Sequence, residues 1–210
     1  MTRVLVADDH DVVRRGLGQI IAETMDLEVG AEASNGADVL SLIQDDEFDA
    51  VVLDINMPGM DGLDTLKQLR SLRPDMPVLV LSMHSEEEYA VRVLKAGASG
   101  YMNKESAADE LVTALRKIAS GGKYMSSEVA ECLLNHVNSR GDGPLHTSLS
   151  DREFQVLCLI ASGKTVSEIG DQLSLSVKTI STYRARILDK MNMNNNAELT
   201  HYAIKNELVF

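Results

Sequence analysis

Cysteine is scarce in this 210-residue chain: Cys132 and Cys158 are the whole supply. Two cysteines are too few for a disulfide framework and lack the companions of a zinc site, so they read as ordinary reduced thiols. Long apolar runs are missing as well. None approaches the roughly 20 residues that span a bilayer, and no membrane partner is expected. The chain enters its first strand without a basic-then-apolar leader, so secretion is not expected and a cytoplasmic location is. Tandem repeats and low-complexity segments are absent. Apolar residues are not in short supply. They make up 44% of the chain, which excludes intrinsic disorder, and the length suits two modest cores.

Positive charge is short in one half only. Residues 1–125 carry 22 acidic against 12 basic side chains, residues 126–145 three against one, and residues 146–210 seven against seven. The formal net charge of −12 therefore belongs almost wholly to the front of the molecule, which nucleic acid would repel. The neutral back half is under no such bar.

Over the first 120 residues, short apolar runs alternate with segments of helical period. Strands are predicted near 3–7, 28–33, 49–53, 77–81 and 99–102, and helices near 11–24, 36–45, 61–72, 86–96 and 107–119. Five βα repeats predict an α/β fold, a doubly wound parallel sheet with helices on both faces. Ser85 with Glu88 has capping-box spacing, Ser106 with Asp109 imitates it, and Gly121-Gly122 stops the last helix. Pro58-Gly59 and Asp61-Gly62 make turns. Residues 121–146 form a linker with a helical segment from Ser126 to Val137, then a tether from Asn138 to Pro144. A small all-α unit of four helices follows over 147–210, with starts at Ser150 (Glu153), Thr165 (Glu168), Ser176 and about Asn195.

The chemistry of the front unit lies at strand ends. Val4 to Ala7 stops at Asp8 and Asp9, Ala50 to Leu53 stops at Asp54, Val78 to Leu81 stops at Ser82, and Gly100 to Asn103 stops at Lys104. In a parallel sheet these ends share one edge, where ligands bind. Alone, each residue is a turn former, a cap or a solvated lysine. Together they fit transfer of a phosphoryl group onto a carboxylate, assisted by Mg²⁺. Asp54 suits the nucleophile. Asp8, Asp9, Asp54 and the backbone carbonyl of Asn56 would hold the cation, Lys104 would neutralise the phosphoryl charge, and Ser82 would hydrogen-bond one of its oxygens.

The segments LVADDH, VVLDINMPGMDG, VLVLSMHS and ASGYMNKE resemble the receiver domain of two-component response regulators, over roughly residues 1–120. The resemblance implies a flavodoxin-like fold and phosphorylation of Asp54 by a sensor histidine kinase. It implies a metal-binding role for Asp8 and Asp9, and a switch in which Ser82 and Tyr101 follow the phosphoryl group. Ser82 stands where many receivers have threonine, which keeps the hydroxyl. Met83 stands where a smaller residue often leaves room for the phosphoryl group, and His84 and Asn56 flank the site.

In the back unit, residues 165–191 read as a short helix, a tight turn and a longer helix, the pattern that places a recognition helix in a major groove. Ile180, Tyr183, Ile187 and Met191 make one inward face. Lys178, Ser181, Thr182, Ala185 and Arg186 fall toward the other. With Thr179, Arg184 and Lys190 they form the candidate DNA-binding set, on a segment (176–190) of local charge +3. A solvated helix face that happens to be basic is the bland alternative. The segment from Leu149 to Met191 resembles the LuxR-type helix-turn-helix of the NarL/FixJ class, although Ser181 and Tyr183 stand where lysine and histidine are frequent. This resemblance implies binding to double-stranded promoter DNA, and a homodimer on phosphorylation, with the last helix (Leu199, Tyr202, Ala203, Ile204) contributing. The expected function is a phosphorylation-dependent transcriptional regulator, not an enzyme. Two other readings stay open: a receiver whose helical output binds protein, and an aspartyl-phosphate phosphatase. The second sits poorly with a first strand ending in adjacent Asp8 and Asp9 and a nucleophile two strands later.

Overall fold

The computed structural model describes residues 1–60, 62–82, 87–138, 144–206 and 208–209; at 87, 88, 128, 132 and 135–138 it describes the backbone alone. The first unit runs β1 (Thr2–Ala7), α1 (Asp11–Ala22), β2 (Leu27–Ala33), α2 (Gly36–Asp45), β3 (Ala50–Asp54), α3 (Gly62–Leu72), β4 (Val78–Ser82), α4 (Glu87–Lys95), β5 (Gly100–Asn103) and α5 (Ala107–Ala119). The strands pair in the order β2-β1-β3-β4-β5, all parallel. β3 and β4 are buried at every residue, as unbroken Val/Leu runs require when helices cover both faces. The strand order reverses between β1 and β3, and the crevice at that switch point is where such sheets take ligands.

One expected cap differs. Ser106 has a helical backbone and makes no side-chain cap bond. The chain instead leaves β5 through a 3₁₀ turn, Lys104–Ser106, capped by Asn103 Oδ1, which accepts from the Glu105 N–H at 2.9 Å. Asn103 takes the capping role one turn earlier, so the α5 start follows on from an existing turn. The Ser85–Glu88 pair and the residues 139–143 of the tether lie outside the described residues, as do Met83, His84 and Asp61.

The linker begins on the sheet. Tyr124 forms a parallel bridge with Gly100; its N–H donates to the Ser99 carbonyl and its carbonyl accepts from the Tyr101 N–H, each at 3.0 Å. That contact covers part of the outer edge of β5, which would otherwise offer unpaired backbone groups. The helix α6 (Ser127–Asn138) follows, and the chain divides into compact units at Ala130 and Glu131.

The second unit opens with a 3₁₀ turn, Leu145–Ser148, and continues as α7 (Asp151–Ala161), α8 (Val166–Leu173), α9 (Val177–Lys190) and α10 (Asn196–Lys205). Both expected capping boxes, Ser150 with Glu153 and Thr165 with Glu168, are complete. Phe154, Leu157, Ile169, Ile180, Ile187 and Leu199 are sealed in one core. His146, which the sequence reading leaves in the linker, is buried: its Nδ1 lies 2.9 Å from the Tyr202 hydroxyl on α10, and its ring packs on Phe154 of α7.

Candidate functional site

Strand register assembles the first site. Ala7 pairs with Leu53, Asp54 with Leu81, and Ser82 with Asn103. The next residue along β1 is Asp8, and the next along β5 is Lys104, so these side chains emerge at one edge. Lys104 Nζ lies 2.6 Å from Asp8 Oδ2 and 2.8 Å from Asp54 Oδ2. Asp8, Asp54 and Ser82 are fully buried, and the Lys104 side chain is nearly so. Asp9 is partly exposed at the rim. The Asn56 N–H donates to Asp54 Oδ1 at 3.2 Å, orienting that carboxylate. Tyr101 is buried on β5, paired with Val80 of β4.

The charges are mutually dependent. Burial, reinforced by Asp8, pushes the Asp54 carboxyl above its ordinary range, against the opposing pull of Lys104. For Lys104, burial works to lower the affinity for its proton, but Asp54 and Asp8 outweigh it and the pKa stands above the usual lysine value. One ammonium is shared by two sealed carboxylates, with Asp9 beside them. The pocket carries an excess of negative charge.

Donor atoms of Asp8, Asp9, His10 and Asp54 all lie within 4.8 Å of one another. Asp8 Oδ2 and Asp54 Oδ2, sealed from solvent, share the single ammonium of Lys104, and among the described residues the sealed Asp9 Oδ1 faces only His10 Nδ1. Carboxylate oxygens left in that state suit a hard divalent cation. The donor set fits such an ion.

Three neighbours were not singled out from sequence. His10 Nδ1 lies 2.7 Å from Asp9 Oδ1. Arg14 Nη1 donates to the Asp8 carbonyl at 2.7 Å. At Gly62, an added Cβ would sit 2.3 Å from the Asp54 carbonyl oxygen and 2.5 Å from Ile55 Cα, while its N–H donates to the Ile55 carbonyl at 2.9 Å. Glycine lets α3 start directly behind Asp54. The sequence signal, an Asp-Gly pair, reads only as a turn.

On α9 the inward face is Ile180, Ile187 and Met191, with Tyr183 half-buried. Lys178, Ser181, Thr182, Ala185 and Arg186 are exposed, and Thr179 is half-buried beside the Ser176 cap, which accepts from the Thr179 N–H. The Ser181 and Thr182 hydroxyls donate back to the carbonyls of Val177 and Lys178, leaving their oxygens as acceptors. The two remaining basic residues have partners within the domain. Arg184 Nε donates to Asn196 Oδ1 at the start of α10. Lys190 Nζ meets the buried Glu153 carboxylate at 2.6 Å. Both fasten α9 to its neighbours, a role that local charge counting does not reveal. Ser174, in the left-handed conformation at φ 53, turns the chain between α8 and α9. There an added Cβ on Gly170 would crowd the Leu175 carbonyl at 2.8 Å, so the turn closes against glycine.

A buried acidic pocket with a shared lysine at the edge of a parallel sheet, joined to a helix-turn-helix unit, defines a class of signalling regulator, and comparison with known proteins agrees. Residues 4–116 match the response regulator receiver domain, and residues 147–203 the bacterial regulatory proteins of the luxR family. The chain is 36% identical over 209 residues to the response regulator UvrY of Escherichia coli (strain K12), covering 99% of this chain and 96% of that one. It is 37% identical over 211 residues to the response regulator GacA of Pseudomonas aeruginosa, covering 100% and 98%. RcsB from Salmonella enterica serovar Typhimurium, solved bound to promoter P1flhDC in the presence of the phosphomimetic BeF3−, superposes with a TM-score of 0.68 at 26% identity, covering 96% of this chain and 97% of that one. The chain belongs to the two-component response regulators of the NarL/FixJ class, with a receiver and a LuxR-type DNA-binding domain. It is a DNA-binding regulator of transcription. Receivers hold a divalent cation at an acidic pocket of this kind.

Proposed function

We propose that Asp54 accepts a phosphoryl group from a sensor histidine kinase, and that the modified receiver raises the affinity of the C-terminal domain for promoter DNA. The observation that carries this reading is Lys104 Nζ held between Asp8 and Asp54 at a sealed sheet edge. An Asp54 oxygen attacks the phosphorus, a P–O bond forms, and the bond from phosphorus to the kinase imidazole nitrogen breaks. Asp8, Asp9, Asp54 and the Asn56 carbonyl hold Mg²⁺, which supplies charge neutralisation for the transferring oxygens. Lys104 and Ser82 then follow the phosphoryl oxygens. Because the carboxylate gives up its own negative charge on becoming an acyl phosphate, the modification adds about one net negative charge, relocates it onto the phosphoryl oxygens, and biases a two-state equilibrium in which Tyr101 moves with Ser82.

The working division is a receiver over 1–120, a linker over 121–146 and a DNA-binding domain over 147–210. Lys178, Thr179, Ser181, Thr182, Ala185 and Arg186 read the groove and its phosphates, while Arg184 and Lys190 chiefly set the helix. The regulator works in the cytoplasm as a phosphorylation-dependent homodimer and does not turn over small phosphate esters. No helix among the described residues is long and apolar enough to cross a membrane.

Promoter binding with Mg²⁺ and a small phosphodonor tests the reading. Wild type gains affinity on phosphorylation, whereas Asp54→Asn folds and gains none. Equal gains in both proteins would refute it.

A further inference from the structure

We infer that His10 supplies a nitrogen ligand to the divalent-cation site, which widens that site from Mg²⁺ toward transition metals such as Mn²⁺. The inference rests on the reading of Asp8, Asp9 and Asp54 as a cation pocket. His10 stands at the N-cap of α1, yet its side chain makes no cap hydrogen bond. Its backbone N–H donates to Asp8 Oδ1 at 2.8 Å, which anchors the residue at the pocket rim. The ring turns toward the acids: Nδ1 lies 2.7 Å from Asp9 Oδ1 and 3.3 Å from Asp8 Oδ1.

Those separations suit an octahedral ion. With metal–ligand bonds of about 2.1 Å, adjacent ligand atoms lie about 3.0 Å apart and opposite ones about 4.2 Å. The two short distances match adjacent positions, and the four-residue donor set spans no more than 4.8 Å. The His10 side chain is 65% exposed, so it can adjust by the remaining fraction of an ångström without repacking a core. As a ligand the imidazole would carry its proton on Nε2 and turn the Nδ1 lone pair to the ion. Imidazole is a poor ligand for Mg²⁺ and a better one for first-row transition metals, so the nitrogen discriminates between them. If instead the ring serves only as a counter-charge bridging Asp8 and Asp9, an entering metal displaces it.

Mn²⁺ bound to the full-length protein separates these cases. Pulsed electron paramagnetic resonance of the wild type should show coupling to an imidazole ¹⁴N, absent in His10→Asn, in which asparagine places a side chain favoured at an N-cap. In equilibrium titrations His10→Asn should weaken Mn²⁺ about tenfold and Mg²⁺ less than twofold. Mn²⁺ that binds in an Asp9-dependent way with no nitrogen coupling overturns the role of His10 and leaves the acidic pocket intact. So does an equal loss for both metals in His10→Asn. Absence of Mn²⁺ binding to wild type, or binding undiminished in Asp9→Asn, sinks the pocket itself.

Discussion

Replacing Asp54 by asparagine should make the metal-free receiver more stable, because the Asp54 carboxylate is held in the fold at a cost. Asp8 Oδ2 and Asp54 Oδ2 lie 2.6 and 2.8 Å from one nitrogen, so they are at most about 5.4 Å apart. At an effective dielectric constant near 20, their repulsion is at least about 3 kcal/mol and the Asp54–Lys104 attraction about 6 kcal/mol. The attraction alone would favour the charged group. The Asp54 pKa nevertheless stands above its ordinary value, with burial as the leading cause, so desolvation and Asp8 together exceed the contribution of Lys104. A raised folded pKa means that Asp54 contributes stability fully present below its unfolded pKa and lost as pH rises through the folded one. Asp54→Asn removes the charge and leaves Lys104 paired with Asp8. The expected gain is on the order of 1–2 kcal/mol at pH 8 with a chelator, shrinking toward zero as pH falls through the carboxylate range. Urea unfolding followed by circular dichroism and tyrosine emission, with the receiver transition fitted separately, measures it. Mg²⁺ should narrow the gap by stabilising wild type more than the variant. A loss of more than about 1 kcal/mol in Asp54→Asn at pH 8 without metal would show that ion pairing outweighs burial, and the electrostatic account of the pocket would fail.

Lys104→Met strands two buried carboxylates and should cost roughly 3 kcal/mol at neutral pH without metal. Because the folded pKa of Lys104 is raised, its stabilisation holds below the unfolded lysine value and disappears as pH climbs through the folded one; alkaline unfolding curves of wild type should show that loss and those of the variant should not. Gly62→Ala drives a methyl into the Asp54 carbonyl and the Ile55 backbone, and a loss of about 1–3 kcal/mol in thermal or urea unfolding is expected. Unchanged stability there would refute the close-approach argument. Arg186→Ala should weaken DNA binding and lower the slope of log K against log salt by about 0.9, as loss of one phosphate contact requires. Lys190→Ala should leave that slope nearly unchanged and lower domain stability, since it unpairs the buried Glu153. Fluorescence anisotropy across a salt series, paired with melting curves, distinguishes them.

Local patterning determined the elements and the chemistry that ends them. Unbroken Val/Leu runs can only be buried parallel strands when helices alternate with them, and a carboxylate, hydroxyl or lysine placed after each run must surface at the same edge. The second unit was equally legible at its helix starts, where Ser150, Thr165 and Ser176 cap through bonds spanning three residues. Tertiary structure decided whatever depended on residues far apart in sequence. Lys104 reaches Asp8 and Asp54 through the β3-β4-β5 register. Lys190 meets Glu153 across 37 residues, and His146 meets Tyr202 across 56. A basic residue in an exposed helical period looks the same whether it waits for a phosphate or closes on a neighbouring helix. A glycine in a turn looks the same whether its conformation or its missing Cβ is required. Sequence period fixes which face a side chain takes on its own element, while the partner it meets there is set by packing between elements, where ångström-scale distances choose among interactions of similar strength.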